Sequence, residues 1–313
     1  MACQAGTLKY SPLGARARSG HLLSRRPIEQ GRQRPMEEVQ LLDRQHVWLR
    51  SAEHGTYLHA DEDGHGVSLS RRRASMKSAW VVHRYYGDHL HVLFYSAAYG
   101  RYLSATDAPA PRGCRGFRVE QRNYDELEDL AIRWQPLRAS TRDEIVLRHV
   151  VAAGSNDYGL LRANGRDRPS KKHVVSVERS NNISTMMGWM VEPIPSRERI
   201  PRLPRPTLLH LQLPALLPSR VVTFMADSEQ FYGNDVSFTF RGRSVYRLRN
   251  ELARQLGIPM NACNNIVLYV RAGTFGRFTP LVVDDLHRSR QPLVITADSP
   301  ANGGPRYPDF DAE

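Results

Sequence analysis

A short motif that returns three times constrains the fold of this chain more than any other feature. Gly55-Thr56-Tyr57-Leu58-His59-Ala60 recurs as Gly100-Arg101-Tyr102-Leu103-Ser104-Ala105 and, in eroded form, as Tyr158-Gly159-Leu160-Leu161-Arg162-Ala163. A short apolar segment precedes each copy: Val47-Trp48-Leu49-Arg50, Val92-Leu93-Phe94-Tyr95 and Ile145-Val146-Leu147-Arg148. One tryptophan follows each copy, at Trp80, Trp134 and Trp189, with spacings of 54 and 55 residues. Units this short cannot bury their own apolar face, so repetition implies that they share a core. Val47-x-Leu49 and Val92-x-Phe94 alternate with period two, which makes the units β-rich.

The same alternation names the core candidates. Leu49, Tyr57, Leu58, Trp80, Leu93, Tyr102, Leu103, Trp134, Leu147, Leu160, Leu161 and Trp189 are expected to be buried, with Tyr57 and Tyr102 on one face of their strands and Leu58 and Leu103 on the other. Leu160 replaces tyrosine in the third copy, keeping the apolar body and losing the hydroxyl. Ala60, Ala105 and Ala163 are small enough to let backbones meet where the repeats converge.

Around this block the chain divides by composition. Residues 1–37 form a basic arm without periodicity, expected to be disordered; residues 1–35 hold seven basic side chains against one acidic. Met36-Glu37-Glu38 would open the folded part well, and Arg16, Arg18, Arg25 and Arg26 with Ser19 and Ser24 also fit an organelle transit peptide. The repeats occupy 38–193. Residues 194–218 contain Pro193's successors Pro195, Pro201, Pro204, Pro206, Pro214 and Pro218 and read as an extended linker. Residues 219–298 present two strand patterns, a helix with Val245, Leu248, Leu252 and Leu256 on one face between Ser244 and Gly257, and strands at 266–270 and 293–296. Phe278 to Val283 is expected to pair between those last two. Residues 299–313 read as a disordered polar tail.

The net charge of +12 invites a nucleic-acid reading, but the repeat block carries 22 basic against 20 acidic side chains. A nearly neutral body argues against phosphate binding by the folded domains. Cys3, Cys114 and Cys263 lie far apart, which fits a reducing, cytoplasmic setting rather than a disulfide scaffold. No apolar run reaches the roughly 18 residues that would span a bilayer.

Chemistry-bearing motifs are few. Asp61-Glu62-Asp63-Gly64 begins like a calcium loop but lacks the later ligands, so it reads as a solvated hairpin turn. Arg71-Arg72-Arg73-Ala74-Ser75 makes Ser75 a candidate phosphoacceptor. Asn182-Ile183-Ser184 matches a glycosylation acceptor, without a signal peptide to give it meaning. His54, His59, His83, His89 and His91 stand beside no recognisable nucleophile motif. No catalytic, cofactor-binding or metal site is expected.

Taken together, the three motif copies and the second unit resemble the plant family catalogued as domain of unknown function 569. That resemblance implies a fascin-like β-trefoil of the actin-cross-linking class, followed by a small ubiquitin-like α+β roll, and covers about residues 38–298. The resemblance implies a fold and no settled activity; with no catalytic constellation in the chain, the expected function is a non-catalytic scaffold that binds a protein partner, actin being the candidate, and a single trefoil argues against cross-linking by one molecule. A carbohydrate-binding, lectin-like trefoil is the alternative. Such lectins carry Gln-x-Trp, whereas Ser78, Ile132 and Met187 stand two residues before these tryptophans. Use of the ubiquitin-like unit as a conjugated modifier would need a terminal Gly-Gly, and Gly303-Gly304 is followed by Pro305.

Overall fold

The computed structural model describes residues 37–312 except 89, 140–142, 151–157, 166–172, 181, 198, 200, 202, 204–217, 226–235, 260–265 and 299–305. The expected arm, most of the linker, the turn at Tyr232-Gly233-Asn234-Asp235 and Gly303-Gly304 therefore lie outside the described residues.

Each repeat contributes four strands. The first gives β1 (His46–Ser51), β2 (Tyr57–Ala60), β3 (Val67–Ser70) and β4 (Ala79–Arg84). The second gives β5 (Val92–Ser96), β6 (Tyr102–Pro109), β7 (Phe117–Arg122) and β8 (Trp134–Arg138), and the third β9 (Ile145–Val150), β10 (Tyr158–Ala163), β11 (His173–Glu178) and β12 (Trp189–Pro193). The first and last strand of every repeat pair in the cycle β1–β4–β5–β8–β9–β12 and back to β1, which closes a barrel and leaves no free edge within it. The middle strands form three hairpins, and β11 joins both β3 and β7. This is a β-trefoil.

The tryptophans explain why the repeat survives. Trp80, Trp134 and Trp189 are fully buried, and each indole N–H donates to the carbonyl of the motif leucine in its own repeat: Leu58 at 3.1 Å, Leu103 at 2.9 Å and Leu161 at 2.9 Å. One side chain thus fills the core and satisfies a carbonyl that would otherwise be buried without a partner. Leu49, Leu58, Leu103, Leu147 and Leu161 share that core with the tryptophans and with Ala60, Ala105 and Ala163. The other named positions sit on the opposite side of their strands. Leu93 and Tyr102 are buried with Trp48 and Tyr95, Leu160 with Val146 and Met187, and Tyr57 is only half-buried, edge-on to Trp48.

Beyond the trefoil, β14 (Ser219–Phe224) and β15 (Val236–Arg241) form a hairpin, and α1 (Val245–Gln255) follows. The Ser244 hydroxyl caps α1 by accepting from the Arg247 N–H at 3.4 Å, and Gly257 ends it at φ +67°. Val245, Leu248 and Leu252 press the buried face of α1 onto a five-stranded sheet. Its remaining strands are β16 (Val267–Arg271), β17 (Phe278–Pro280) and β18 (Leu293–Asp298), in the order β15-β14-β18-β16-β17. Here the structure corrects the sequence expectation: β18 pairs directly with β16 and, in parallel, with β14, so Phe278–Pro280 is an edge strand. In that central place Leu293 and Ile295, which project from one face of the strand, are buried in the same apolar cluster as Val245, Leu248 and Leu252 of α1.

The polar tail also departs from expectation. Tyr307–Pro308 (β19) pairs with Ser196–Arg197 (β13), Tyr307 is buried, and Phe310 packs over Trp48 at 6.2 Å. Two aromatic side chains in an otherwise polar stretch suffice to return it to the body, and β13 draws the start of the expected linker into a small sheet.

Candidate functional site at the domain seam

The trefoil and the α+β roll meet along a seam built from the first two repeats. Two backbone hydrogen bonds join Tyr124 to the turn after β16: Tyr124 N–H to Ala272 O at 2.9 Å and Phe275 N–H to Tyr124 O at 2.8 Å. Arg288 N–H donates to Glu62 O at 2.6 Å, and Arg277 N–H to the Tyr102 hydroxyl at 3.0 Å. Gly273 makes the first contact possible. At φ +88°, a Cβ there would lie 2.5 Å from the Tyr124 carbonyl oxygen.

Charged groups reinforce the seam. Glu62 meets Arg243 at 3.3 Å and Arg288 at 3.4 Å, and Lys77 also donates to it. Its hydrogen bond from Lys77, with the charges of Lys77 and Arg243, holds the carboxyl down at about 2. Asp43 pairs with Arg277 at 2.9 Å. The Asp61–Gly64 turn is therefore a docking element rather than a solvated hairpin. Its carboxylates are spent on the Ser68 hydroxyl, on the N–H groups of His65 and Gly66, and on basic side chains. Among the described residues no group of side chains could hold a metal ion.

Where the surfaces part, a cleft of about 600 Å³ opens between them. Tyr99, Val270, Ala272, Leu293 and Val294 make its walls largely apolar, while Arg101, Asp125, His287 and Gln291 supply polar groups. Arg101 is 5% exposed and donates from Nη1 to Gln291 at 2.9 Å, leaving Nε without a partner. Burial lowers the Arg101 pKa, and burial with the neighbouring Arg220 holds the His287 imidazole neutral, its pKa pushed down to about 3. His287 lies edge-on to the Tyr99 ring at 5.6 Å.

The histidines singled out by sequence do not form a catalytic group. His83 is buried against the Tyr102 hydroxyl at 3.0 Å, its pKa lowered to about 4 by burial and then by Arg277. His91 pairs with Asp88, and His54 Nε2 lies 3.2 Å from Ala163 O; His89 lies outside the described residues. His59, Asp61 and Ser68 do assemble, at 3.3 Å and 2.6 Å, but Asp61 stands between the other two. A serine nucleophile needs the imidazole beside it, so this order cannot activate Ser68. Ser75 is half-buried in a turn where its N–H donates to Arg73 O and its carbonyl accepts from Ser78. Arg73 stacks over Trp48 at 4.1 Å. That ordered turn would have to unfold to enter a kinase as an extended peptide. Ser78, Ile132 and Met187 are buried. Sequence reasoning missed Trp48, Arg101 and Tyr124, since nothing local distinguishes a seam residue from any other.

Family comparison agrees with this architecture. A model described as a β-trefoil domain of unknown function (DUF569) matches residues 39–192, and one described as a DUF569-associated ubiquitin-like domain matches residues 218–297. The chain belongs to the DUF569 family. No curated protein matches it significantly. Solved structures similar to it include an SDF2-like protein from Arabidopsis thaliana, at 12% identity and TM-score 0.40, covering 49% of this chain and 94% of that one. Another is a Macrolepiota procera ricin B-like lectin in complex with lactose, at 17% identity and TM-score 0.38, covering 49% and 99%. No helix among the described residues of this DUF569 chain is long and apolar enough to cross a membrane.

Proposed function

We propose that the protein is a non-catalytic scaffold that binds a protein partner across the seam, with the trefoil and the ubiquitin-like domain acting as one rigid body. The observation that carries this reading is a patch of exposed apolar side chains that straddles both domains. Tyr86 (85% exposed) and Leu127 (58%) come from the trefoil, Phe275 and Phe278 from the roll. They are linked through Arg277, which donates to the Tyr86 hydroxyl, and through Tyr124, which touches Phe275 and donates to Leu127 O. Aromatic side chains around an arginine are the composition of interface hot spots, and this patch exists only while the domains stay docked.

Filamentous actin is the candidate partner, on the fascin-like resemblance. One trefoil offers one site, so we expect binding without bundling. High-speed co-sedimentation of the full chain with filaments is expected to pellet the protein, and low-speed sedimentation to leave filaments dispersed. The Tyr86→Ala, Phe275→Ala double variant should lose the pelleting. Failure of the wild type to pellet removes actin, and a double variant that pellets equally well removes the patch.

A further inference from the structure

Trp48 stands where the second and third repeats have Leu93 and Val146. Both aliphatic side chains are fully buried there, so the trefoil itself does not need an indole at this position. The extra surface of Trp48 is used by the end of the chain: Phe310 packs on its ring at 6.2 Å. Arg73 lies over the same ring at 4.1 Å, and Tyr57 meets it edge-on at 6.4 Å. Beside it, Arg197 of β13 faces the carboxylates of Asp309 and Asp311 at 3.9 Å and 3.8 Å. Glu192, the neighbouring acid, is occupied by Arg50 and Arg73.

The tail is held as an added strand is held. Tyr307 and Pro308 pair with Arg197 and Ser196, and the Asp309 N–H donates to Pro195 O at 2.8 Å. Main-chain hydrogen bonds along one edge, with side chains fixing the register, are the pattern by which extended peptides join a sheet. The attachment is also weak. Pro308 has no N–H, so the ladder cannot continue through it. Docking leaves the Tyr307 hydroxyl and Arg197 Nε buried without a hydrogen-bond partner, and such losses count against the bound tail. Both ion pairs are partly exposed, which makes them minor contributors.

We propose that the groove between β13 and Trp48 is a peptide-binding site, filled in cis by the chain's own tail and taken in trans by a protein partner that displaces it. The partner segment is extended, with two aromatic side chains three residues apart and acidic residues beside the second, as Tyr307, Phe310, Asp309 and Asp311 are arranged. A tethered occupant competes at an effective concentration on the order of millimolar, so the tail lowers the partner's apparent affinity. This groove uses different side chains from the patch at the seam and stands or falls separately from it.

The test uses a fluorescent peptide with the sequence of residues 305–313 and the full chain, read by anisotropy. The Tyr307→Ser, Phe310→Ser double variant removes both anchors of the cis tail. It should bind one peptide per chain, at least about tenfold more tightly than the wild type does. A peptide carrying the same two serines should not bind. In the double variant, Trp48→Leu should weaken the peptide about fivefold, with circular dichroism checking the fold. If that chain does not fold, Arg197→Glu in its place should weaken the acidic peptide about threefold. In the wild type, the Asp309 amide should exchange at least about a hundredfold faster than the amides of β1. No saturable binding to the double variant, equal binding of the serine peptide, equal affinity in the wild type, or an Asp309 amide as protected as β1 would each overturn the proposal. A wild-type dimer that becomes monomeric in the double variant would also overturn it, assigning the groove to the tail of a second copy.

Discussion

The second and third repeats share a strand pattern, a buried tryptophan and the hydrogen bond from that tryptophan to a leucine carbonyl. They differ on the other face of the motif strand. In the second, the Tyr102 hydroxyl accepts from the Arg277 N–H and meets His83. In the third, Leu160 occupies the same place among Leu137, Val146 and Met187, with nothing polar to satisfy. The barrel side of each strand obeys the threefold symmetry because all three repeats fill one core. The outer side obeys whatever docks there, and the ubiquitin-like domain docks on the first two repeats.

The largest test of this contrast is in the tryptophans. Trp80→Ala, Trp134→Ala and Trp189→Ala should each cost about 3–5 kcal/mol in denaturant unfolding, equally across repeats. A Trp189 variant much milder than the other two would break the equivalence of the barrel side.

The buried imidazoles come next. His83 is held neutral, with a pKa of about 4 against 6.5 when unfolded. The unfolded chain therefore binds the proton first, and stability present above about pH 6.5 is lost as pH falls toward 4. One such group accounts for up to about 3 kcal/mol across that window. Unfolding free energies measured from pH 7 to 4 should fall more steeply in the wild type than in His83→Asn; parallel profiles would remove His83 as a contributor.

Smaller, but more pointed, is the hydroxyl. Tyr102→Phe should cost about 1–3 kcal/mol, because it strands the Arg277 N–H at the seam. Tyr57→Phe, at the equivalent but half-buried position, should stay within about 0.5 kcal/mol. Similar losses for both would mean that docking does not set the difference between the repeats.

Smallest is a glycine pair. Gly55 and Gly100 open equivalent turns at φ +61° and +70°. A Cβ at Gly55 would meet nothing within 4 Å, whereas one at Gly100 would lie 3.0 Å from Thr279 Oγ1 of the roll. Gly55→Ala should cost about 1 kcal/mol from backbone conformation alone. Gly100→Ala should cost measurably more and loosen the seam, seen as faster amide exchange at Arg277. Equal costs would place Thr279 as free to yield.

The sequence by itself determined what a local period can carry. Alternation with period two, tryptophans 54 and 55 residues apart and a capped helix between Ser244 and Gly257 report burial and chain direction. They led to the trefoil, to the roll and to the buried leucines. What repetition could not carry was any contact between residues far apart in the chain. Arg101 occupies a variable place in its motif, and only the folded roll, bringing Gln291 from 190 residues away, buries it. Tyr57 and Tyr102 look alike in sequence and part company because Arg277 reaches one of them. The tail looked polar because its pattern is too short to show that Tyr307 is buried in a pairing with Arg197 and that Phe310 packs on Trp48. Strand order in the roll was likewise open, since Leu293 and Ile295 fit an edge or a centre until β14 and β16 pair on either side of their strand and α1 packs against them. Burial is encoded locally, by one residue's hydropathy against its neighbours; docking depends on two surfaces that meet only after each has folded.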